Sequence, residues 1–548
     1  MGFVDSPPTD VGCPIPANTP HAVSVTLPTW DANVGYEEGQ EWVASKMNSG
    51  YPRFYVHSSI QRLAKHLVDE YGAEGEDAYL FPSYEAAKRC RDFLRRYSSQ
   101  GKNVPARIVQ LTTPVDETDI TNANVQAHIA IVFFPAEEAG VCKSYWQHSG
   151  EGISSRLAEF CLDRWCRDKC STEESRFLEE RYGRNLDLSF ADEAKKALRR
   201  RIAGKLIESG QSNDGRAEVT DLSENDVYLY PCGMASIFHA HRATMAIRGA
   251  DVKAVLYGFP YVDSHNILKK FGGGVHFYAN GEPEDLDAIE ELLEGGEKIS
   301  LFFCEVPSNP LLKTPNFERI RALADKYDFP VVVDETVGNF LNVHILPYAD
   351  VVVSSLTKLF SGDSNVMGGS LVLNPHGKYF QQYKKALEEQ YEDNFWAEDA
   401  IYLERNSRDF AERNTKINHN TEAVAKLFHD SPLVKDVFYP PYNPSKEQYD
   451  KVKVPSGGYG GLFSVVFKDP EDGKAFFDTV NTAKGPSLGT NFTLTSPYVI
   501  LAHYAELDVV EKYGVDRHLI RISVGLEDTE KLLNNFKKGL DAVANRHN

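Results

Sequence analysis

Apolar and polar positions follow two alternating periods in the middle of the 548-residue chain, and these periods predict its secondary structure. Between residues 221 and 375, short runs of apolar, often β-branched residues alternate with segments in which apolar residues recur at helical spacing. The apolar runs predict strands at 226–230, 254–258, 275–279, 299–306, 329–335, 349–355 and 369–374. Helical segments separate several of these runs, and this alternation is typical of a doubly wound, mostly parallel sheet.

The same patterns divide the chain into four predicted parts, at 1–60, 61–220, 221–400 and 401–548. The first part is an extended arm in which prolines are frequent, and the second mixes strand and helix patterns without indicating a role. The third part contains the parallel sheet. The fourth is predicted to be a smaller α+β domain, with strands at 461–467 and 519–525 and a final amphipathic helix from Thr529 to about Ala544.

Composition and charge exclude several classes of function. The formal net charge of −20 is unsuited to nucleic acid and to anionic membrane surfaces. No apolar run reaches the roughly 18 residues of a membrane-spanning helix, and the amino terminus lacks the regions of a signal peptide. The eight cysteines include no C-x-x-C pair and no zinc spacing, so no metal site is predicted. We therefore expect a cytoplasmic protein that binds neither nucleic acid nor membrane.

Two charged residues stand at the ends of predicted strands. Asp334 follows the valines of the fifth run, and Lys358 comes just after the sixth run, behind Ser355 and Thr357. Because an unpaired buried charge is costly, each charge needs a partner at the carboxyl edge of the sheet. A lone lysine after a strand is usually a solvated loop residue. This pair, however, suits pyridoxal phosphate, in which a lysine carries the cofactor and an aspartate pairs with the pyridinium nitrogen.

Other positions fit the same cofactor. Gly233 and Met234 follow a strand and begin a helix, where free N–H groups can bind a phosphate. Tyr257, at a strand end, can stack on a planar ring, and the amide of Asn309 can donate to a phenolate oxygen. Arg521 lies inside an apolar strand and requires a carboxylate from the protein or from a substrate. Each signal alone has an ordinary structural explanation, and their consistent order favours a cofactor site.

Seven short motifs resemble those of a known family. In order, they are PCGMAS, YG with a glycine fifteen positions after the tyrosine, EVPSNPLLKTP, VVVDET, SSLTK, SLGTNF and LIRISVGLED. Together they resemble the cystathionine γ-synthase type of the Cys/Met-metabolism pyridoxal-phosphate enzymes. The segment from about 60 to 220 is similar to the extended form of fungal cystathionine γ-synthases. The resemblance implies an α/β, fold type I transferase that is aspartate-aminotransferase-like, with a smaller α+β C-terminal domain.

The resemblance also implies a role for each residue of the cofactor site. Lys358 matches the lysine that carries pyridoxal phosphate and acts as the base, and Asp334 matches the partner of the pyridinium nitrogen. Tyr257 matches a catalytic-site tyrosine whose ring stacks on the cofactor. Asn309 matches the amide near the phenolic oxygen. The implied phosphate ligands are Gly233, Met234, Ser355 and Thr357.

Substrate and partner residues are implied in the same way. Arg521, with Ser487 beside it, matches the arginine that holds the substrate α-carboxylate. Tyr51 and Arg53 match a Tyr-x-Arg pair that reaches the cofactor phosphate of a neighbouring subunit, and Tyr51 is also expected to contact the substrate. The arm at 1–60 is therefore expected to reach a neighbouring subunit, in a homodimer or homotetramer with shared active sites.

The implied reaction is a γ-substitution on an O-acylhomoserine, with cysteine as nucleophile and cystathionine as product. Val262 stands where bacterial enzymes that use a succinylated substrate often carry an arginine, so O-acetyl-L-homoserine is the expected substrate. Alternatives within the family are another nucleophile, such as sulfide or a carbon acid, and a γ- or β-elimination. A non-catalytic role is disfavoured because Lys358 and Asp334 are present. A dinucleotide-dependent dehydrogenase is disfavoured because no GxGxxG follows the first strand.

Overall fold

The structure is a computed structural model that describes residues 7, 9–117, 119, 121–166, 186–206 and 214–547. Within these residues the strands are β1 (Pro14–Ile15), β2 (Ser24–Val25), β3 (Glu76–Phe81), β4 (Arg107–Thr112), β5 (His128–Pro135), β6 (Val227–Tyr230), β7 (Ala254–Tyr257), β8 (Val275–Tyr278), β9 (Phe302–Glu305), β10 (Val331–Asp334), β11 (Val351–Ser355), β12 (Gly369–Leu373), β13 (Val434–Phe438), β14 (Leu462–Phe467), β15 (Ala483–Lys484), β16 (Leu494–Ser496) and β17 (Ile520–Ser523).

The α-helices of the described residues are α1 (Trp30–Glu37), α2 (Glu41–Ala44), α3 (Ser58–Tyr71), α4 (Tyr84–Tyr97), α5 (Ala139–Ser149), α6 (Ser155–Cys166), α7 (Ala191–Ile202), α8 (Gly233–Arg248), α9 (Val262–Lys270), α10 (Pro283–Glu294), α11 (Phe317–Tyr327), α12 (Phe380–Gln390), α13 (Ala397–Asn406), α14 (Phe410–His429), α15 (Lys446–Val452), α16 (Pro470–Thr479), α17 (Tyr498–His503), α18 (Leu507–Val510) and α19 (Thr529–Ala544). None of these helices combines the length and the apolar character needed to cross a membrane.

The central sheet has seven strands in the order β6-β12-β11-β10-β9-β7-β8, and all neighbouring pairs are parallel except the two that β12 makes. Alternate residues of β10 face opposite cores: Val331 and Val333 pack in one, and Val332 packs in the other. Because both faces are covered, the strands are continuous apolar runs. The predicted α/β fold with a large, mostly parallel sheet is confirmed.

Three neighbouring strands of this sheet end in polar residues at its carboxyl edge. β9 ends at Glu305, β10 at Asp334 and β11 at Ser355. The parallel register pairs Asp334 with Glu305 on one side and with Val353 on the other, so the strand ends lie side by side. Open parallel sheets bind their ligands beyond this edge.

A second sheet of five strands, in the order β13-β14-β17-β16-β15, supplies the predicted substrate arginine. Its central strand β17 alternates between two faces. Ile520 and Ile522 pack in an apolar core with residues of α14, α16 and α19. Arg521 therefore points to the opposite face, because successive side chains of a strand alternate. The packing of helices on this mixed sheet gives the smaller α+β region that the sequence predicted.

The first part of the chain after the arm forms a separate three-stranded antiparallel sheet, in the order β3-β5-β4. Residues Ile129, Ile131 and Phe133 of β5 pack with α3 and α6, whereas Ala130 and Val132 pack with α4 and α5. Helices thus cover both faces of the sheet, and the strand β5 is apolar on both sides. We call this unit, residues 58–166, the N-terminal domain.

Candidate active site

A cavity opens at the carboxyl edge of the central sheet. Its walls come from the arm, the central sheet and the five-stranded sheet. The predicted site residues that line it are Tyr51, Arg53, Gly233, Met234, Asn309, Asp334, Ser355, Thr357, Lys358, Ser487 and Arg521. The tertiary structure therefore brings together residues as far apart in the sequence as Tyr51 and Arg521.

Lys358 is buried at the wall of this cavity and is held by two hydroxyl groups. Its Nζ donates to the phenolic oxygen of Tyr51 and to Oγ of Ser487, each at 2.9 Å. The ammonium also lies 4.7 Å from the centre of the Tyr51 ring, a cation–π distance. Ser487 has a left-handed φ of +88°, which is strained for a residue with a side chain and is typical of functional sites. The amine is thus positioned by groups that can hold or pass a proton.

Asp334 and Thr336 form a polar junction between two strand ends. Oδ1 of Asp334 accepts hydrogen bonds from the backbone nitrogen and the hydroxyl of Thr336, at 2.8 and 2.5 Å. The same hydroxyl oxygen accepts a hydrogen bond from the backbone nitrogen of Ser355 at 2.8 Å. Burial raises the pKa of Asp334, and burial with the charge of Asp334 raises the pKa of the neighbouring Glu305. A pyridinium cation would relieve this concentration of negative charge.

The amino terminus of α8 forms the predicted phosphate site. The turn Cys232–Ala235, called the phosphate turn below, begins this helix, and Gly233 is its first residue. A Cβ added to Gly233 would lie 2.5 Å from Cβ of Ser355, so only glycine lets the two chain segments approach. The first N–H groups of a helix have no partner within it, and here they share the cavity wall with Ser355 and Thr357. These donors fit a phosphate group.

Arg521 is a buried cation without an anionic partner among the described residues. One guanidinium nitrogen donates to Oδ1 of Asn309 at 3.0 Å and another to the carbonyl of Ser487 at 2.6 Å. The guanidinium lies 4.2 Å from the ring of Tyr498, whose hydroxyl accepts a hydrogen bond from the amide of Asn309. Burial lowers the pKa of Arg521, and within the described part of the chain no carboxylate pairs with it. A substrate carboxylate is the partner that this arrangement lacks.

The prediction for Tyr257 is wrong, because the structure places its ring in the core. Tyr257 ends β7, packs 5.7 Å from the ring of Phe302 and donates its hydroxyl to the carbonyl of Glu282. It does not line the cavity, whereas Tyr261 does. The hydroxyl of Tyr261 has no hydrogen-bond partner among the described residues, and its backbone nitrogen donates to Glu305 at 2.8 Å. Of the two tyrosines, Tyr261 is therefore the one at the cavity wall.

In this single chain the arm lies at the chain's own cavity, and the prediction that it reaches a neighbouring subunit stays a prediction. Tyr51 contacts Lys358 of its own chain, and Arg53 donates to carbonyl oxygens of α5 in that chain. The tether from the arm to the next helix is short, since four residues lie between Arg53 and Ser58, where α3 begins. The N-terminal domain that contains α3 is packed on the same chain, for example through Arg156, which pairs with Asp399 at 2.9 Å.

Among the cavity residues that were not predicted, four make the contacts described above, namely Tyr261, Glu305, Thr336 and Tyr498. Thr336 stands two positions after Asp334 in VVVDET and Glu305 begins EVPSNP, so the motifs contained them without indicating a role. Tyr498 follows a short strand and belongs to none of the motifs. The described residues contain no cluster of His, Cys, Asp or Glu side chains that could hold a metal ion.

Comparisons with known proteins show the family of this chain. Residues 217–541 match the family described as Cys/Met metabolism PLP-dependent enzyme, and residues 59–154 match the fungal trans-sulfuration enzyme, N-terminal domain. The cystathionine gamma-synthase of Neurospora crassa is 46% identical over 97% of this chain and 98% of its own length. That of Saccharomyces cerevisiae is 41% identical over the same shares, 97% and 98%. The crystal structure of metB from Corynebacterium glutamicum, at 23% identity, has a TM-score of 0.50 over 58% of this chain and 81% of that one.

Proposed function

This chain belongs to the Cys/Met metabolism family of PLP-dependent enzymes, and from that premise we propose that it catalyses the γ-substitution of O-acetyl-L-homoserine by cysteine. In this reaction the bond between Cγ and the ester oxygen breaks and a bond between Cγ and the cysteine sulfur forms. Acetate leaves, the thiol proton is released, and cystathionine is the product. One observation carries the proposal. A single cavity contains both the buried guanidinium of Arg521, which has no carboxylate partner among the described residues, and the amine of Lys358, which hydroxyl groups hold in place.

Pyridoxal phosphate fits the residues at this site. The phosphate turn with Ser355 and Thr357 would hold the phosphate, and Asp334 would pair with the pyridinium nitrogen. Tyr261 would lie against the ring. When bound, the cofactor supplies an electron sink for the carbon from which a proton is removed.

The residues of the chain bind the amino acid and move its protons. Arg521 binds the α-carboxylate, since it is the buried cation without an anion, and Asn309 with the carbonyl of Ser487 keeps the guanidinium in place. The amine of Lys358 then takes the proton from Cα and transfers protons at Cβ. The hydroxyls of Tyr51 and Ser487 keep this amine within reach and can share its proton.

The charges at the cavity favour an acetyl ester. A succinyl ester carries an additional carboxylate, which requires a cation of its own. In the described part of the cavity wall the cations are Arg53, Lys358 and Arg521. Lys358 and Arg521 have the roles given above, and Arg53 is bound to carbonyl oxygens. No cation is left for a second carboxylate.

If Tyr261 takes the place predicted for Tyr257, a different residue stands where bacterial enzymes that use a succinylated substrate often carry an arginine. Val262 stands five positions after Tyr257. The residue five positions after Tyr261 is Asn266. Asn266 lies on α9 and donates its amide to Asp263 at 3.4 Å. Val262 and Asn266 are both neutral, so this position lacks a cation whichever of the two tyrosines is the reference.

We expect kcat/KM for O-acetyl-L-homoserine to exceed that for O-succinyl-L-homoserine, measured at one cysteine concentration. A charge-assisted hydrogen bond contributes about 1.5–3 kcal/mol, so its absence should give a preference of roughly ten- to a hundredfold. Asn266→Arg should move the ratio toward the succinyl ester, whereas the control Asn266→Gln, which adds length without charge, should leave it unchanged. A wild-type preference for the succinyl ester would refute the assignment of the leaving group.

A further inference from the structure

The end of helix α5 in the N-terminal domain lies against the segment of the arm that enters the active site. Gly150 closes the helix with a left-handed φ of +68°. Just before it, the carbonyl oxygens of Trp146 and Gln147 accept hydrogen bonds from Arg53, whose guanidinium also lies 5.2 Å from the Trp146 ring. Arg53 comes two residues after Tyr51. The end of α5 therefore holds the part of the arm that places Tyr51 beside the catalytic lysine.

Gly150 also packs directly on the phosphate turn. A Cβ added at Gly150 would lie 2.6 Å from Sγ of Cys232, 2.7 Å from the backbone nitrogen of Ala235 and 3.1 Å from Cβ of Met234. The carbonyl oxygen of Gly150 accepts a hydrogen bond from the Cys232 thiol at 3.5 Å. The backbone of the N-terminal domain and the backbone of the phosphate turn are thus in van der Waals contact, with no room for a side chain between them.

Glu151 fixes this contact with a buried ionic network. Its carboxylate is 3% exposed and accepts hydrogen bonds from Arg89 on α4, Tyr145 on α5 and His239 on α8. Burial alone would raise the pKa of Glu151, but Arg89 and His239 hold it well below its usual range. The carboxylate is therefore ionised, and it joins two helices of the N-terminal domain to the helix that begins with the phosphate turn.

Aromatic side chains close the same interface. Phe93 of α4 stacks on Phe271, which follows α9, at 5.0 Å, and Tyr145 meets the edge of Phe238 of α8 at 6.3 Å. Such pairs contribute beyond the area that they bury. The position of α8 is thus tied to the N-terminal domain by polar and by apolar contacts.

We infer that the N-terminal domain is a positioning element of the cofactor site of its own chain: the end of α5 supports the phosphate turn through Gly150 and Glu151, and holds Tyr51 beside Lys358 through Arg53. The domain adds no group to the reaction. It fixes the positions of two groups that do act, namely the phosphate turn and Tyr51. The inference depends on the cofactor but not on which ester or nucleophile is used, so it can fail or succeed independently of the proposed reaction.

The test compares two glycine substitutions in the holoenzyme. Gly150→Ala puts a methyl group against the phosphate turn, and displacing the phosphate donors should raise the dissociation constant of pyridoxal phosphate by roughly tenfold or more. Gly75→Ala is the matched control, because Gly75 lies in the same domain with a similar φ of +81° but has no atom within 4 Å of the added methyl group. It carries the same backbone strain and should leave cofactor affinity within about twofold.

Two readouts separate positioning from a loss of stability. The dissociation constant is measured by titration of the apoenzyme, and the ³¹P resonance of the bound phosphate reports its surroundings. Both should change in Gly150→Ala and neither in Gly75→Ala. Equal changes in the two variants, or no change in Gly150→Ala, would overturn the inference. If Gly150→Ala does not fold, Glu151→Gln replaces it in the test. This substitution keeps the size of the side chain and removes the negative charge that contacts Arg89 and His239. An unchanged cofactor affinity in Glu151→Gln would then count against the inference.

A cross-linking experiment tests whether the domain acts on its own chain. Phe54 lines the cavity next to Tyr51, with ring centres 5.3 Å apart, so p-benzoyl-phenylalanine in its place should react with the cavity wall. Oligomers are assembled from equal amounts of isotopically heavy and light chains, with exchange shown by two affinity tags. Cross-linked peptides should carry matching labels. A statistical share of mixed heavy–light pairs would show that the arm and domain serve a neighbouring subunit instead.

Discussion

Lys358→Ala is expected to lower kcat/KM by at least about 10⁴-fold, because one side chain both carries the cofactor and moves the substrate protons. The structure supports the double role, since the amine lies in the cavity and is held by the hydroxyls of Tyr51 and Ser487. Steady-state kinetics of the variant, supplied with excess pyridoxal phosphate, measure the loss. Borohydride reduction of the wild-type holoenzyme should fix the cofactor on the peptide that contains Lys358.

Lys484 is the informative control. Burial lowers its pKa to about 8, so from its titration alone it would be the reactive amine. However, its Nζ donates to the carbonyl of Asp478 and it does not line the cavity. Lys484→Arg should therefore retain activity and cofactor. Reduction that fixes the cofactor on Lys484, or on any lysine other than Lys358, would contradict the assignment.

Asp334→Asn is expected to lower both cofactor affinity and turnover by roughly a hundredfold or more, since a neutral amide cannot pair with a pyridinium cation. The asparagine oxygen can still accept the hydrogen bonds of Thr336, so the strand ends should keep their positions. The variant should therefore unfold at nearly the wild-type temperature. Cofactor titration and kcat measure the first effect, and thermal unfolding of the apoenzyme measures the second.

The adjacent residue Glu335 provides a matched control with the opposite outcome. Its carboxylate is buried against Arg216 and does not line the cavity. Breaking a buried ion pair typically costs about 3–5 kcal/mol, so Glu335→Gln should lower the unfolding temperature. Its cofactor affinity per folded molecule should change little. If Glu335→Gln weakened cofactor binding as much as Asp334→Asn, the pyridinium pairing would lose its support.

The raised pKa of Asp334 gives this pairing a pH dependence. In the cofactor-free site burial raises the pKa, and a bound pyridinium cation would lower it. Affinity should therefore be highest above the raised pKa of the cofactor-free site and should fall as the pH drops through it, because binding must then displace a proton. Asp334→Asn should lose this part of the pH profile, which cofactor titrations of the two proteins at several pH values would show.

Much of the fold can be predicted from the sequence because buried parallel strands appear in it as continuous apolar runs. The final helix was predicted to run from Thr529 to about Ala544, and the structure gives the same bounds. The strand predicted at 299–306 is shorter, from Phe302 to Glu305, although Ile299 and Leu301 are buried as well. An apolar run thus reports burial, whereas the length of a strand depends on which neighbour pairs with it.

The parts of the site that were not predicted depend on tertiary structure. Tyr257 and Tyr261 stand four residues apart, and the turn at Gly258, with a φ of +82°, decides which of them reaches the cavity. The partners of Glu151 lie 62 and 88 positions away, at Arg89 and His239, so no local pattern indicates them. The charged residues at strand ends were predictable because a charge at such a place needs a partner.

The proposed γ-substitution is tested most directly by identifying the product that the reconstituted holoenzyme forms from O-acetyl-L-homoserine and cysteine. The product is measured by mass spectrometry, together with the release of acetate. We expect cystathionine and acetate in equal amounts, with no product from the Lys358→Ala protein. Formation of 2-oxobutanoate and ammonia as the main products would show an elimination instead. A higher kcat/KM with sulfide or a carbon acid than with cysteine would likewise contradict the proposed nucleophile.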